Sequence, residues 1–89
     1  MTECEVEIVN RLGLHARATA RLVTLAQRFQ SRITLAHGDR QANGKSIMGV
    51  LTLGATRGSR IRIRAEGEDE AEAVAALCEM IHHRFGEPE

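Results

Sequence analysis

The chain of 89 residues predicts an α+β fold. This is an open-faced β-sandwich of order β-α-β-β-α-β-α, in which a four-stranded antiparallel sheet carries three helices on one face. Three observations lead there. Every strand-like stretch has one apolar and one polar face, the signature of an antiparallel sheet with one side in water. The strand-like stretches are interrupted by runs of helical period. The length suits one modest core, so residues 1–89 read as a single domain.

From Glu3 to Val9 the alternation is strict, with Cys4, Val6 and Ile8 on one face and Glu3, Glu5 and Glu7 on the other. From Ala16 to Phe29 the period becomes helical. Ala18, Leu22, Leu25, Ala26 and Phe29 form an apolar stripe, and Arg17, Arg21, Thr24 and Arg28 lie opposite. Ser31 to Ala36 alternates again, His37-Gly38-Asp39 reads as a turn, and Arg40 to Asn43 as a short edge strand closing a hairpin. Ser46 to Leu53 reads as a short helix, with Ser46 as N-cap and Gly54 just past its end. If Ser46, Gly49, Val50 and Leu53 face inward, then Ile47, Met48 and Leu51 form an exposed aliphatic patch. The periodicity also permits the reverse, with Ile47 and Leu51 buried.

Arg60 to Glu66 alternates, with Ile61, Ile63 and Ala65 inward and Arg60, Arg62 and Arg64 outward. Those arginines complement the outer glutamates of the first strand, so the first and last strands should pair. Asp69 to Phe85 reads as the last helix, with Val74, Leu77, Cys78, Ile81 and Phe85 as its core stripe. Its acids lie at the start and its His82, His83 and Arg84 at the end, as the helix dipole favours. The tail Gly86-Glu87-Pro88-Glu89 reads as frayed.

Composition removes several function classes. Twelve basic residues balance twelve acidic ones, so bulk charge points to neither nucleic acid nor a membrane surface. The sequence contains no apolar run of membrane-spanning length and no signal peptide, so a cytoplasmic location is expected. Cys4 and Cys78 have no metal-like or redox-like spacing and read as free buried thiols, which fits a reducing compartment. His37, His82 and His83 lack ligand geometry and read as solvated surface. Gly44-Lys45-Ser46 resembles the end of a phosphate-binding loop, but Asp39 stands where the first glycine belongs. No acidic cluster offers a magnesium site. The chain therefore cannot make its own phosphoryl donor from a nucleotide, and no cofactor or metal is implied.

The chemistry concentrates in Asn10-Arg11-Leu12-Gly13-Leu14-His15-Ala16-Arg17, which joins the first strand to the first helix. His15 stands where the helix begins, beside N–H groups without intrahelical partners and the positive end of the dipole. That is an anion site, and Arg17 adds a guanidinium suited to phosphate. A neutral imidazole attacks phosphorus well, and phosphoryl transfer needs positioning and charge neutralisation above all. His15 is thus a candidate phosphoryl carrier, with Arg17 and the Ala16 N–H steadying the phosphate. On spacing alone, a histidine that merely caps the helix is the more common case. The arginine stripe likewise reads either as a solvated face or as a surface for an acidic partner. Ser46 is an N-cap that could also accept a regulatory phosphate, because a helix start tolerates negative charge.

Two motifs, Gly13-Leu14-His15-Ala16-Arg17 and Lys45-Ser46-Ile47-Met48-Gly49-Val50 with Leu53-Gly54, resemble those of the HPr family. These are the histidine-containing phosphocarriers of the bacterial phosphoenolpyruvate-dependent sugar phosphotransferase system, and the resemblance spans essentially the whole chain as one HPr-like domain. It implies that His15 is phosphorylated on Nδ1 by enzyme I and passes the group to IIA components of sugar permeases. It implies that Ser46 is the target of an ATP-dependent HPr kinase/phosphorylase, which impairs transfer. It implies docking of these partners on Leu14, Arg17, Ala20, Arg21, Thr24, Ile47, Met48 and Leu51 of a monomer. Ala18 departs from the proline usual after the arginine, which leaves the first helical turn less preorganised. Some members place a C-terminal carboxylate near the histidine, but the extra Gly86 to Glu89 prevents a direct carry-over.

Two rivals remain in view. A nitrogen-branch or purely regulatory HPr-like protein would serve no sugar permease. An RNA-binding module of similar element order would stack bases on aromatic residues of its sheet. Phe29 and Phe85 are the only aromatics, and neither lies on a strand.

Overall fold

The computed structural model describes residues 1–89. Strands β1 (Thr2–Glu7), β2 (Arg32–His37), β3 (Arg40–Asn43) and β4 (Arg60–Glu66) form one antiparallel sheet in the order β1-β4-β2-β3. Helices α1 (Ala16–Ala26), α2 (Ile47–Leu51) and α3 (Glu70–His82) pack on it, and a 3₁₀ turn at Arg84–Gly86 follows α3. The predicted element order and the pairing of first with last strand both hold.

That pairing rests on charge outside and aliphatic contact inside. Glu3, Glu5 and Glu7 stand opposite Arg64, Arg62 and Arg60. Arg60 Nε donates to Glu5 at 2.8 Å and Arg64 Nε to Glu3 at 3.0 Å. Exposed pairs of this kind contribute at most about 1 kcal/mol each. Their larger effect is on register, because a slip of one residue would turn Ile61 and Ile63 outward.

The core is aliphatic, with Leu22, Ile33, Leu35, Ile61, Ile63, Leu77 and Ile81 all essentially inaccessible. The α1 stripe differs from expectation at one end. The helix stops at Ala26, so Leu25 and Phe29 are only partly buried and Val23 takes a core position. The ambiguity at α2 is resolved: Val50 and Leu53 are buried, whereas Ile47 and Met48 are 45% and 71% exposed. Ser46 caps this helix, its Oγ accepting from the Gly49 N–H at 3.1 Å.

Four readings need correction. Helix α3 ends at His82, not Phe85, because Arg84 and Phe85 take left-handed φ values of 59° and 57°. This turn still buries Phe85, and the Arg21 guanidinium donates to its carbonyl. The tail beyond is not frayed, since the Arg11 N–H donates to the Glu89 carbonyl at 3.0 Å. His37 is not simply solvated, its Nδ1 lying 2.9 Å from the Leu53 carbonyl, where it ties the hairpin to the end of α2. Finally, Cys4 on β1 and Cys78 on α3 are joined as a disulfide, with Cα atoms 7.7 Å apart. The expectation of free thiols, and the argument from it to a reducing compartment, therefore fall. Two cysteines 74 residues apart give no sign in sequence that β1 and α3 face each other.

Glu70 binds the start of β1 to the start of α3. The chain-terminal ammonium of Met1 lies 2.8 Å away, Thr2 Oγ1 donates at 2.7 Å and the Gly67 N–H at 3.2 Å. These donors, the ammonium first, favour the charged carboxylate and lower its pKa from 4.5 to about 2. Because the folded value is depressed, the stabilisation is present above the unfolded value and is lost as pH falls towards 2. Acid titration of the melting temperature should therefore show a decline between pH 4.5 and 2 that is shallower in Glu70→Gln.

Candidate functional site

The loop from Asn10 to His15 is held on the core by backbone geometry. Gly13 has φ +65°, and a Cβ there would meet the Ala55 carbonyl oxygen at 2.7 Å and the Thr56 Cα at 2.9 Å. The Leu14 N–H donates to the Ala55 carbonyl at 3.0 Å, and the Leu14 side chain is 6% exposed. Of the residues expected to dock partners, Leu14 is thus a correction: its side chain belongs to the core and anchors the loop.

His15 follows as the N-cap of α1, with extended backbone and no side-chain cap bond. The cap role weighed from spacing is therefore filled by its position and not by its imidazole. The first N–H to bond back into the helix is that of Thr19, to the His15 carbonyl at 2.9 Å. Those of Ala16, Arg17 and Ala18 precede it and have no intrahelical acceptor. The first turn carries no acid. Arg17 is exposed and, with His15, Arg11 and Leu12, lines a hollow of about 530 Å³. One helix start thus brings together an imidazole, N–H groups without intrahelical acceptors and an exposed arginine, a combination that suits an anion.

The surroundings of the ring are not wholly positive, however. Glu87 reaches back from the tail and places Oε2 3.3 Å from His15 Nε2. Its Oε1 accepts from Asn10 Nδ2 at 3.0 Å, and the same amide donates to the Gly13 carbonyl at 2.9 Å. That carbonyl stands 3.2 Å from His15 Nδ1. Glu89 faces Arg11 at 3.3 Å. Asn10, Glu87 and Glu89 were not singled out from sequence. The available signals were two acids in the last three residues of the chain and the C-terminal carboxylate that some family members place near the histidine. What hid their role was the left-handed turn at Arg84 and Phe85, which non-glycine residues rarely adopt.

The other expected residues lie along two helices. Ala20, Arg21 and Thr24 sit on α1, with Ile47, Met48 and Leu51 on α2. Met48 and Ile47 are the most exposed apolar side chains among them, and Thr24 is exposed. Arg21 is partly committed, holding the Phe85 carbonyl. Ser46 stands at the start of α2 with its hydroxyl half-buried.

A helix-start histidine on an open α+β sandwich fits a phosphocarrier protein, a class that relays a phosphoryl group and depends on other proteins to supply and take it. Comparison with known proteins identifies the member. Residues 2–83 match the PTS-HPr family model, described as the PTS HPr component phosphorylation site, and the chain belongs to that family. It is 52% identical over 87 residues to phosphocarrier protein HPr of Xylella fastidiosa strain Temecula1, covering 98% of each chain. It is 38% identical over 85 residues to phosphocarrier protein NPr of Shewanella violacea, covering 96% of this chain and 93% of that one. The crystal structure of HPr-C-His from Thermoanaerobacter tengcongensis superposes with a TM-score of 0.96 at 43% identity, covering all of both chains.

The close approach at Gly13 makes a direct prediction. Gly13→Ala should cost about 2 kcal/mol of stability through strain and backbone clash, read as a lowered melting temperature. The same substitution should shift the His15 ring resonances, because the loop that carries the ring must move off Ala55.

Proposed function

We propose that His15 accepts a phosphoryl group on Nδ1 from phospho-enzyme I and delivers it to IIA components of sugar permeases. The observation that carries this reading is the placement of His15 beside the free N–H groups of Ala16 and Arg17 in a member of the phosphocarrier family. The ring supplies the nucleophile. The N–H groups, the α1 dipole and the Arg17 guanidinium neutralise the phosphoryl oxygens. Ala20, Arg21, Thr24, Ile47, Met48 and Leu51 form the docking face of a monomer, an aliphatic patch flanked by arginines that fits an acidic partner with an apolar centre. A cytoplasmic location goes with this role and rests on the family resemblance.

The reading extends to Ser46 as the target of an HPr kinase/phosphorylase. A phosphate at the start of α2 would sit comfortably with the helix while repelling an acidic partner on the adjoining face. The resemblance to an NPr keeps a second branch open, in which a different enzyme I feeds the same histidine and no sugar permease receives the group.

Two experiments test these readings. Incubation with phosphoenolpyruvate, magnesium and a sugar-branch enzyme I should add one acid-labile phosphate by intact mass, absent in His15→Ala. Phosphorylation only by a nitrogen-branch enzyme I would move the assignment to the NPr reading, and none by either would sink the carrier role. Separately, Ser46→Asp should leave the melting temperature nearly unchanged and raise the enzyme I KM roughly tenfold with little change in kcat. That rise should shrink as salt is added.

A further inference from the structure

We propose that Asn10 is a positioning residue for phosphoryl transfer, acting through Glu87 to keep the His15 proton on Nε2 and the lone pair on Nδ1. The inference rests on the proposed use of Nδ1 as the phosphorylated nitrogen.

Each ring nitrogen faces an acceptor. Nε2 lies 3.3 Å from the Glu87 carboxylate and Nδ1 lies 3.2 Å from the Gly13 carbonyl. A neutral imidazole has one N–H and can satisfy only one of them. With the proton on Nδ1, the bare Nε2 would point its lone pair at a full negative charge. With the proton on Nε2, the bare Nδ1 faces only a neutral carbonyl, and the N–H makes the stronger, charge-assisted bond. The carboxylate therefore decides the tautomer, and it decides in favour of a nucleophilic Nδ1.

Asn10 is what holds both acceptors. Its Nδ2 donates to Gly13 O at 2.9 Å and to Glu87 Oε1 at 3.0 Å. The residue is completely buried, and its Oδ1 is the one buried side-chain polar atom in the chain without a partner. Leaving such an acceptor unpaired costs stability, so the Asn10 amide is oriented by its two donor bonds and not by the needs of its oxygen. The tail end is secured independently, by the Arg11 N–H on the Glu89 carbonyl and by the Arg11–Glu89 ion pair.

The step balances as follows. The ring pivots away from the Gly13 carbonyl, and the Nδ1 lone pair forms the N–P bond to the phosphoryl group carried by the donor protein. The bond from phosphorus to the donor breaks, its electron pair leaving with the donor. The ring keeps its Nε2 proton and so becomes positively charged, and the Glu87 carboxylate already faces that charge. The bond to Glu87 strengthens as charge develops, which is the condition for accelerating the step.

The test reads the tautomer directly, from ring nitrogen chemical shifts of His15 with the ring neutral, beside transfer kinetics with enzyme I. The wild-type ring should be mainly protonated on Nε2. Glu87→Gln and Asn10→Ala should each move the population towards the Nδ1 form and lower kcat about tenfold, with KM little changed. In the Glu87→Gln background, Asn10→Ala should add only the small shift that comes from freeing the Gly13 carbonyl, since its main action is through that carboxylate. Independent, additive shifts would overturn the proposal. So would a ring still protonated on Nε2 in Glu87→Gln, a near-isosteric variant that decides the matter even if Asn10→Ala fails to fold. The tautomer needs no phosphate for its measurement. A wild-type chain with the Nε2 proton that accepts no phosphoryl group would therefore count against the carrier reading alone.

Discussion

The contact of the β1–α1 loop with the Ala55–Thr56 backbone is the constraint on which the site depends. Gly13 sits where no side chain fits, and the Leu14 N–H closes a hydrogen bond to the Ala55 carbonyl in the same place. Leu14 then drops into the core, so His15 cannot drift from the start of α1. Every later feature follows from that fixed point. The orphan N–H groups lie next to His15 in the chain because that residue is the cap, and Nε2 of its ring meets Glu87 of the tail.

Charge is arranged to keep this site separate from the rest of a neutral protein. On the sheet, glutamates of β1 and arginines of β4 oppose one another and largely cancel. On α1, Arg17, Arg21 and Arg28 lie exposed with no carboxylate in ion-pair contact. The same residue types thus serve register on one face and leave an unbalanced positive field on the other. The molecule measures 33 × 26 × 20 Å, and even its smallest extent exceeds the roughly 8 Å over which charge acts at physiological salt. A partner at α1 senses the local sign and not the net charge of zero.

Most of this architecture was legible in the sequence because it is periodic. Strict alternation at Cys4, Val6 and Ile8, and again at Ile61 and Ile63, fixes which face of each strand is buried. The charges at Glu3 and Arg64 then name the neighbour. Legibility failed where one residue broke a local rule for a non-local reason. Phe85 continues the α3 stripe perfectly, yet burial is achieved after a left-handed turn that no pattern announces. The disulfide between Cys4 and Cys78 depends on packing of the first strand against the last helix. The resemblance raised a C-terminal carboxylate near the histidine, but no pattern in the chain says that Glu87 is the tail residue that returns to the loop. The candidate histidine was visible and the residues around it were not, because their contacts are tertiary.

A carrier differs from an enzyme in what its site should not do. An oxyanion hole built for tight binding would lower the energy of the phosphorylated state and slow delivery to the next protein, since uniform binding of a ground state gains no rate. The site around His15 has the restraint this demands. It offers one flexible guanidinium, three N–H groups at a helix end and an open hollow, with a carboxylate close to the ring. In the proposed role the carboxylate would oppose the phosphoryl group electrostatically while supporting the charge on the phosphorylated ring. Opposed effects of that kind are what a site needs if it is to receive a group from one protein and surrender it to another.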